Sequence, residues 1–74
     1  MNKAEFARLT YLKPDGTSGL TQEELAEKAR IKSVQIIKDL EENKPVKIHH
    51  KVMIAAALDL IIPAYRLQDP LEKP

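Results

Sequence analysis

Residues 20–29 read Leu20-Thr21-Gln22-Glu23-Glu24-Leu25-Ala26-Glu27-Lys28-Ala29. These ten residues decide the fold. Thr21 followed three positions later by Glu24 has the pattern of a capping box. The threonine hydroxyl can accept from the backbone N–H of residue 24, and the Glu24 carboxylate can reach back to the N–H of residue 21. Leu20 and Leu25 flank the box where a hydrophobic staple is found. The pattern predicts a helix capped by Thr21 and running to about Ala29, with Leu25, Ala26 and Ala29 facing inward. Small side chains on that face let a neighbouring helix cross closely.

On the C-terminal side, Arg30-Ile31-Lys32 reads as a short turn, and Ser33 is a reasonable cap for a third helix ending near Glu42. At about 100° per residue, Ile36, Ile37 and Leu40 cluster on one side of it. Either Ile36 or Ile37 is the main core residue. The opposite side carries Gln35, Lys38 and Glu42, flanked by Val34 and Asp39. Asn43 suits a left-handed exit, and Pro45 forbids continuation. A fourth helix is expected from Lys47 to Leu58, with Ile48, Val52, Ala55 and Leu58 or Asp59 as its stripe. Pro63 opens a short last helix through Leu67. Residues 68–74, with two prolines, are expected to fray.

On the N-terminal side, Asn2 can cap a first helix from Lys3 to Leu12, and Glu5 suits its first turn. Phe6, Leu9 and Leu12 are spaced to share a face. Lys13–Gly19 is a loop by composition, with a Pro14-Asp15-Gly16 turn. The chain thus reads as one all-α domain, residues 1–67, built as a bundle of four to five short helices with a flexible tail at 68–74.

Composition narrows the chemistry. Seventy-four residues allow one small core. The absence of cysteine excludes disulfides and thiolate catalysis and fits a cytoplasmic setting. No apolar run approaches a membrane span, and the first nine residues, with Glu5 and no long apolar block, do not fit a secretory leader. No nucleophile elbow, phosphate loop or paired-acid site is present, so no enzymatic activity is expected, and no cofactor. His49-His50 is not expected to hold a metal, because adjacent helical positions diverge and no third ligand stands at the right spacing.

Net charge is +1, but unevenly spread. Residues 1–27 hold three bases and five acids, residues 28–51 seven bases and three acids, and residues 52–74 two bases and three acids. The positive charge sits in the middle third, where it can meet phosphates.

Two short helices joined by a short turn, the second with an outward polar face, form a helix-turn-helix unit. Here the chain resembles the Cro/repressor-type (XRE-like) helix-turn-helix family. Residues 20–29 look like the first helix of that motif. Ile37-Lys38-Asp39-Leu40-Glu41-Glu42-Asn43-Lys44 resembles the end and exit of its recognition helix, and Ile54-Ala55-Ala56-Ala57-Leu58-Asp59-Leu60 is similar to its fourth-helix signature. The likeness spans residues 20–60.

The resemblance implies a phage-repressor-like fold and double-stranded DNA as partner, with residues 33–42 in the major groove. It implies that Gln22 bonds a phosphate and braces the recognition helix. Ser33, Val34, Gln35 and Lys38 would face the bases: Gln35 an adenine edge, Lys38 a guanine or a phosphate, Val34 a thymine methyl. Lys32, Asn43, Lys44 and Lys47 would grip phosphates. Asp39, Glu41 and Glu42 stand close to that face and should weaken binding. The chain departs from the family in three places. Arg30 stands where a glycine is usual, the stretch from Ala29 to Ile37 is one residue longer, and the 13–19 loop is long.

Ile61, Ile62, Tyr65 and Leu67 are more apolar than a last segment needs, and part of that set is expected to form a homodimer patch. The competing reading is a protein-interaction module on the same scaffold: an antirepressor, an antitoxin-like partner, or the front module of a longer chain.

Overall fold

The computed structural model describes residues 1–71. Four α-helices follow one another: α1 Lys3–Thr10, α2 Gln22–Lys28, α3 Val34–Glu41 and α4 Ile48–Ala57. A single 3₁₀ turn, Ala64–Arg66, closes the chain. No strand occurs among the described residues, and the fold is an all-α bundle. No described helix is long and apolar enough to cross a membrane.

The capping box of α2 forms as the sequence predicts. Glu24 N–H donates to Thr21 Oγ1 at 3.0 Å, and Thr21 N–H donates to Glu24 Oε1 at 2.8 Å. The other end of α2 shows why the chain turns so sharply. Ile31 N–H reaches back to the Ala26 carbonyl (2.8 Å) and Arg30 N–H to the Glu27 carbonyl (3.0 Å), the two bonds of a Schellman end. The motif needs a left-handed residue, and Arg30 supplies it at φ 58°. Helices α3 and α4 stop by the same pair of bonds, with Asn43 (φ 60°) and Asp59 (φ 55°) in the left-handed position. Asn and Asp tolerate that conformation; an arginine holds it at a cost of about 1–2 kcal/mol.

The core is built from Ala4, Leu20, Leu25, Ala26, Ala29, Ile31, Ile37, Leu40, Ile54, Ala55, Ala57, Leu58 and Leu67. Ile37 is fully buried, whereas Ile36 is half-buried, which sets the register of α3. Three expectations fail. In α1 the inward side chains are Ala4 and Arg8, while Phe6, Leu9 and Leu12 are exposed. In α4, Ile48 and Val52 of the expected stripe are exposed, and Ile54 takes the core position beside Ala55 and Leu58. In both helices the partner surface selects a face that hydrophobicity alone does not.

The third concerns the C-terminal segment. Leu67 is fully buried, so it belongs to the core and cannot join a surface patch; Ile61 and Tyr65 remain exposed, and Ile62 is half-buried against the core. Gln68–Pro70, expected to fray, are tied to the body. Gln68 Nε2 donates to the Lys44 carbonyl at 2.7 Å, Lys3 N–H donates to the Asp69 carbonyl at 2.9 Å, and Asn2 and Pro70 form an antiparallel bridge. The rest of that expected tail beyond residue 71 lies outside the described residues.

These contacts also explain how α1 starts. A helix leaves its first N–H groups without partners. Here the carbonyls of Asp69 and Leu67 take those of Lys3 and Ala4 (both 2.9 Å), and the Asn2 side chain takes that of Glu5 (3.0 Å). Asn2 Nδ2 in turn donates to the Leu40 carbonyl (2.8 Å) and to Asn43 Oδ1 (2.9 Å). One buried asparagine therefore joins the start of α1 to the end of α3.

Candidate nucleic-acid interface

Helix α3 offers its outward face because Ile37 and Leu40 hold the opposite face in the core. The outward side is centred on Gln35, with Lys38, Asp39 and Glu42 around it, as helical geometry requires. Gln35, Glu42, Ser33 and Lys32 are exposed, and Val34, Lys38 and Asp39 are half-buried. Among the described residues, no other element of the fold covers this side. Ser33 precedes α3 as its cap residue but makes no side-chain capping bond, so its hydroxyl is free of the helix.

The ionic groups of the face are unequally committed. Lys32, Lys38 and Lys47 make no ion pair among the described residues. Lys44 lies 3.4 Å from Glu42. Gln35 Nε2 donates to Asp39 Oδ1 at 2.8 Å, one helical turn away. Asp39 also borders a shallow cleft with Ile36, Pro45, Val46, Lys47 and His50, which runs the 45–47 loop along the flank of α3. The His50 imidazole is shifted below its usual value by burial, then by the neighbouring charges of His49 and Lys47. The two histidine rings do not diverge as expected: their centroids are 4.1 Å apart and tilted. Among the described residues no group of three or more potential metal ligands comes together.

Beneath this face lies a cluster that holds α3 in place. Arg8 of α1 forms a two-pronged pair with Glu41 of α3, Nε to Oε2 at 2.6 Å and Nη2 to Oε1 at 2.9 Å. Its remaining nitrogen, Nη1, donates to the Leu20 carbonyl at 2.8 Å. Gln22 Nε2 adds a bond to Glu41 Oε1 at 3.1 Å. The pair is buried, with side-chain exposures of 10% for Arg8 and 5% for Glu41. The hydrogen bond to Glu41 raises the Arg8 pKa further above its usual value, against the opposing effect of burial.

This cluster corrects one expectation. Glu41 does not crowd the outward face; it points inward and is neutralised by Arg8. Gln22 Nε2 ties the start of α2 to Glu41 of α3. Asn43 has its side-chain oxygen occupied by Asn2, which leaves its amide nitrogen for an outside acceptor. Sequence reasoning missed Arg8, Asn2's double bonding and the Gln35–Asp39 link. Only the last had a local signal, since glutamine and aspartate four apart on a helix are neighbours.

Comparison of the chain with known protein families, with curated proteins and with solved structures finds no match.

Proposed function

We propose that this protein reads double-stranded DNA, placing α3 in the major groove and acting as a small transcriptional regulator in the cytoplasm. The observation that carries the reading is the free side of α3: exposed Gln35 and half-buried Lys38 stand on a face that no other described element occupies. The likeness of residues 20–60 to repressor-type helix-turn-helix proteins supports it. So does the concentration of bases in residues 28–51. The groove is about 12 Å wide and admits one helix. Gln35 is the base-reading residue, with Ser33, Val34 and Lys38 beside it. Lys32, Asn43, Lys44, Lys47 and Gln22 serve the phosphates. A second copy joined through Ile61 and Tyr65 would set two such helices about 34 Å apart on a two-fold site.

Selection of bound duplexes from a random pool tests the reading, with Gln35→Ala and Lys38→Ala as comparators. The wild type should enrich one short motif, and Gln35→Ala should lose a position of it. Affinity for random duplex should fall steeply with salt, and Lys32→Ala should reduce that slope by about one.

A second reading has an observation of its own. Two carboxylates, Asp39 and Glu42, stand on the free face, and Phe6, Leu9, Ile48 and Val52 are exposed elsewhere. A protein-interaction module on the same scaffold would use those surfaces. It predicts no retention of duplex at low ionic strength.

A further inference from the structure

Gln35 does not present a freely rotating amide. A carboxylate only accepts hydrogen bonds, so the 2.8 Å contact with Asp39 Oδ1 must come from the amide nitrogen. That settles which end of the amide is which. The nitrogen lies on the Asp39 side, with its second N–H still available, and the carbonyl oxygen lies away from it. Donor and acceptor therefore stand in a preferred order along the outer face of α3. Part of the ordering cost of that side chain is met before any partner arrives.

Base edges differ in the order they require. Adenine offers an acceptor (N7) beside a donor (the N6 amino group) and can engage both ends of such an amide. Guanine offers two acceptors, N7 and O6, of which one would face the amide oxygen. Thymine offers O4 alone, and cytosine offers its amino group alone. Asp39 adds a second discrimination. Its carboxylate repels O6 and N7 of guanine and O4 of thymine, and its other oxygen, Oδ2, can accept from an amino group on adenine or cytosine.

We propose that Asp39 is a specificity-determining residue: it orients the Gln35 amide for an adenine edge and biases the adjoining base pair toward an exposed amino group. This rests on the duplex-reading function proposed above and deepens it. It also accounts for a carboxylate on a face that would meet a polyanion. Asp39 weakens attraction to phosphate in general, and it sharpens the choice of base.

The test compares wild type, Asp39→Ala, Gln35→Ala and the double variant in binding to the selected duplex, to single-base variants of it and to random duplex. Alanine removes the acceptor oxygen that asparagine would keep, and circular dichroism checks that the helices are kept. Asp39→Ala should lower the preference for adenine about twofold, the share that a side-chain bond four residues apart supplies. It should at the same time raise affinity for random duplex several-fold at low salt, since one negative charge is gone. In the Gln35→Ala background, Asp39→Ala should produce no further change at the adenine position. A merely structural Asp39 would lower both affinities together. The inference is overturned by an unchanged base preference in Asp39→Ala, or by a wild-type preference that does not depend on Gln35. Both results leave duplex binding in place. Failure of the wild type to retain any duplex at low salt removes the duplex reading and this inference with it.

Discussion

Glu41→Ala is the most informative perturbation of the fold. It leaves the Arg8 guanidinium buried at 10% side-chain exposure with no counter-charge, since Glu41 accepts two of its three hydrogen bonds. Removing one partner of a buried pair costs about 3–5 kcal/mol. A chain of this length has roughly 4–11 kcal/mol of total stability at 0.05–0.15 kcal/mol per residue. The substitution therefore consumes a large share of the fold's stability. At about 4–8 °C per kcal/mol for a domain of this size, the melting temperature should fall by at least about 12 °C. Urea titration followed by circular dichroism measures the loss directly. The double variant Arg8→Met/Glu41→Leu removes both charges and keeps apolar volume, so most of the loss should be recovered. It leaves the Leu20 carbonyl without its donor, which sets the remaining deficit at about 1–3 kcal/mol. A cost below about 1 kcal/mol for Glu41→Ala would place the pair among exposed ion pairs and refute the account of how α3 is held.

Three other predictions concern the turns and caps. Gly19 has φ 90°, and a Cβ there would lie 3.1 Å from the Leu9 carbonyl oxygen, so Gly19→Ala should cost about 1–2 kcal/mol by urea titration. Arg30→Gly relieves a left-handed arginine at the end of α2, partly offset by a more flexible unfolded chain; stability should rise by about 0.5–1 kcal/mol, seen as a higher urea midpoint with an unchanged slope. The Glu24 carboxyl is held below its usual value of 4.5, chiefly by the Thr21 backbone N–H and then by Lys13. The folded state binds fewer protons there than the unfolded chain, so this contribution is present above about pH 4.5 and is lost as pH falls through the lower folded value. Glu24→Gln should accordingly show a smaller drop in urea midpoint than wild type between about pH 6 and pH 3.

The parts of the fold legible in the residues are those set within one helical turn. Thr21 and Glu24 are three positions apart and make the capping box they predict. Asn2 caps α1, and Asn43 takes the left-handed position. The outward set on α3 follows from the spacing of Ile37 and Leu40, both fully buried. The Gln35–Asp39 bond spans four residues and was within reach of the same local rules.

What the order of residues determined by itself, then, was how α2 is capped, where α3 and its left-handed exit fall and which side of α3 is polar, because those depend on bonds and periodicities a few residues long; α1, expected to reach Leu12, ends at Thr10. Tertiary structure alone decided which faces of α1 and α4 go inside. Arg8 is buried only because Glu41, 33 positions away, meets its charge; hydropathy assigned that face instead to Phe6 and Leu9, which stay exposed. Likewise Leu67 is core, at the point where its carbonyl and that of Asp69 close the open end of α1, while the equally apolar Ile61 stays at the surface. Burial is a property of the partner as much as of the side chain, and the partner here lies far along the chain.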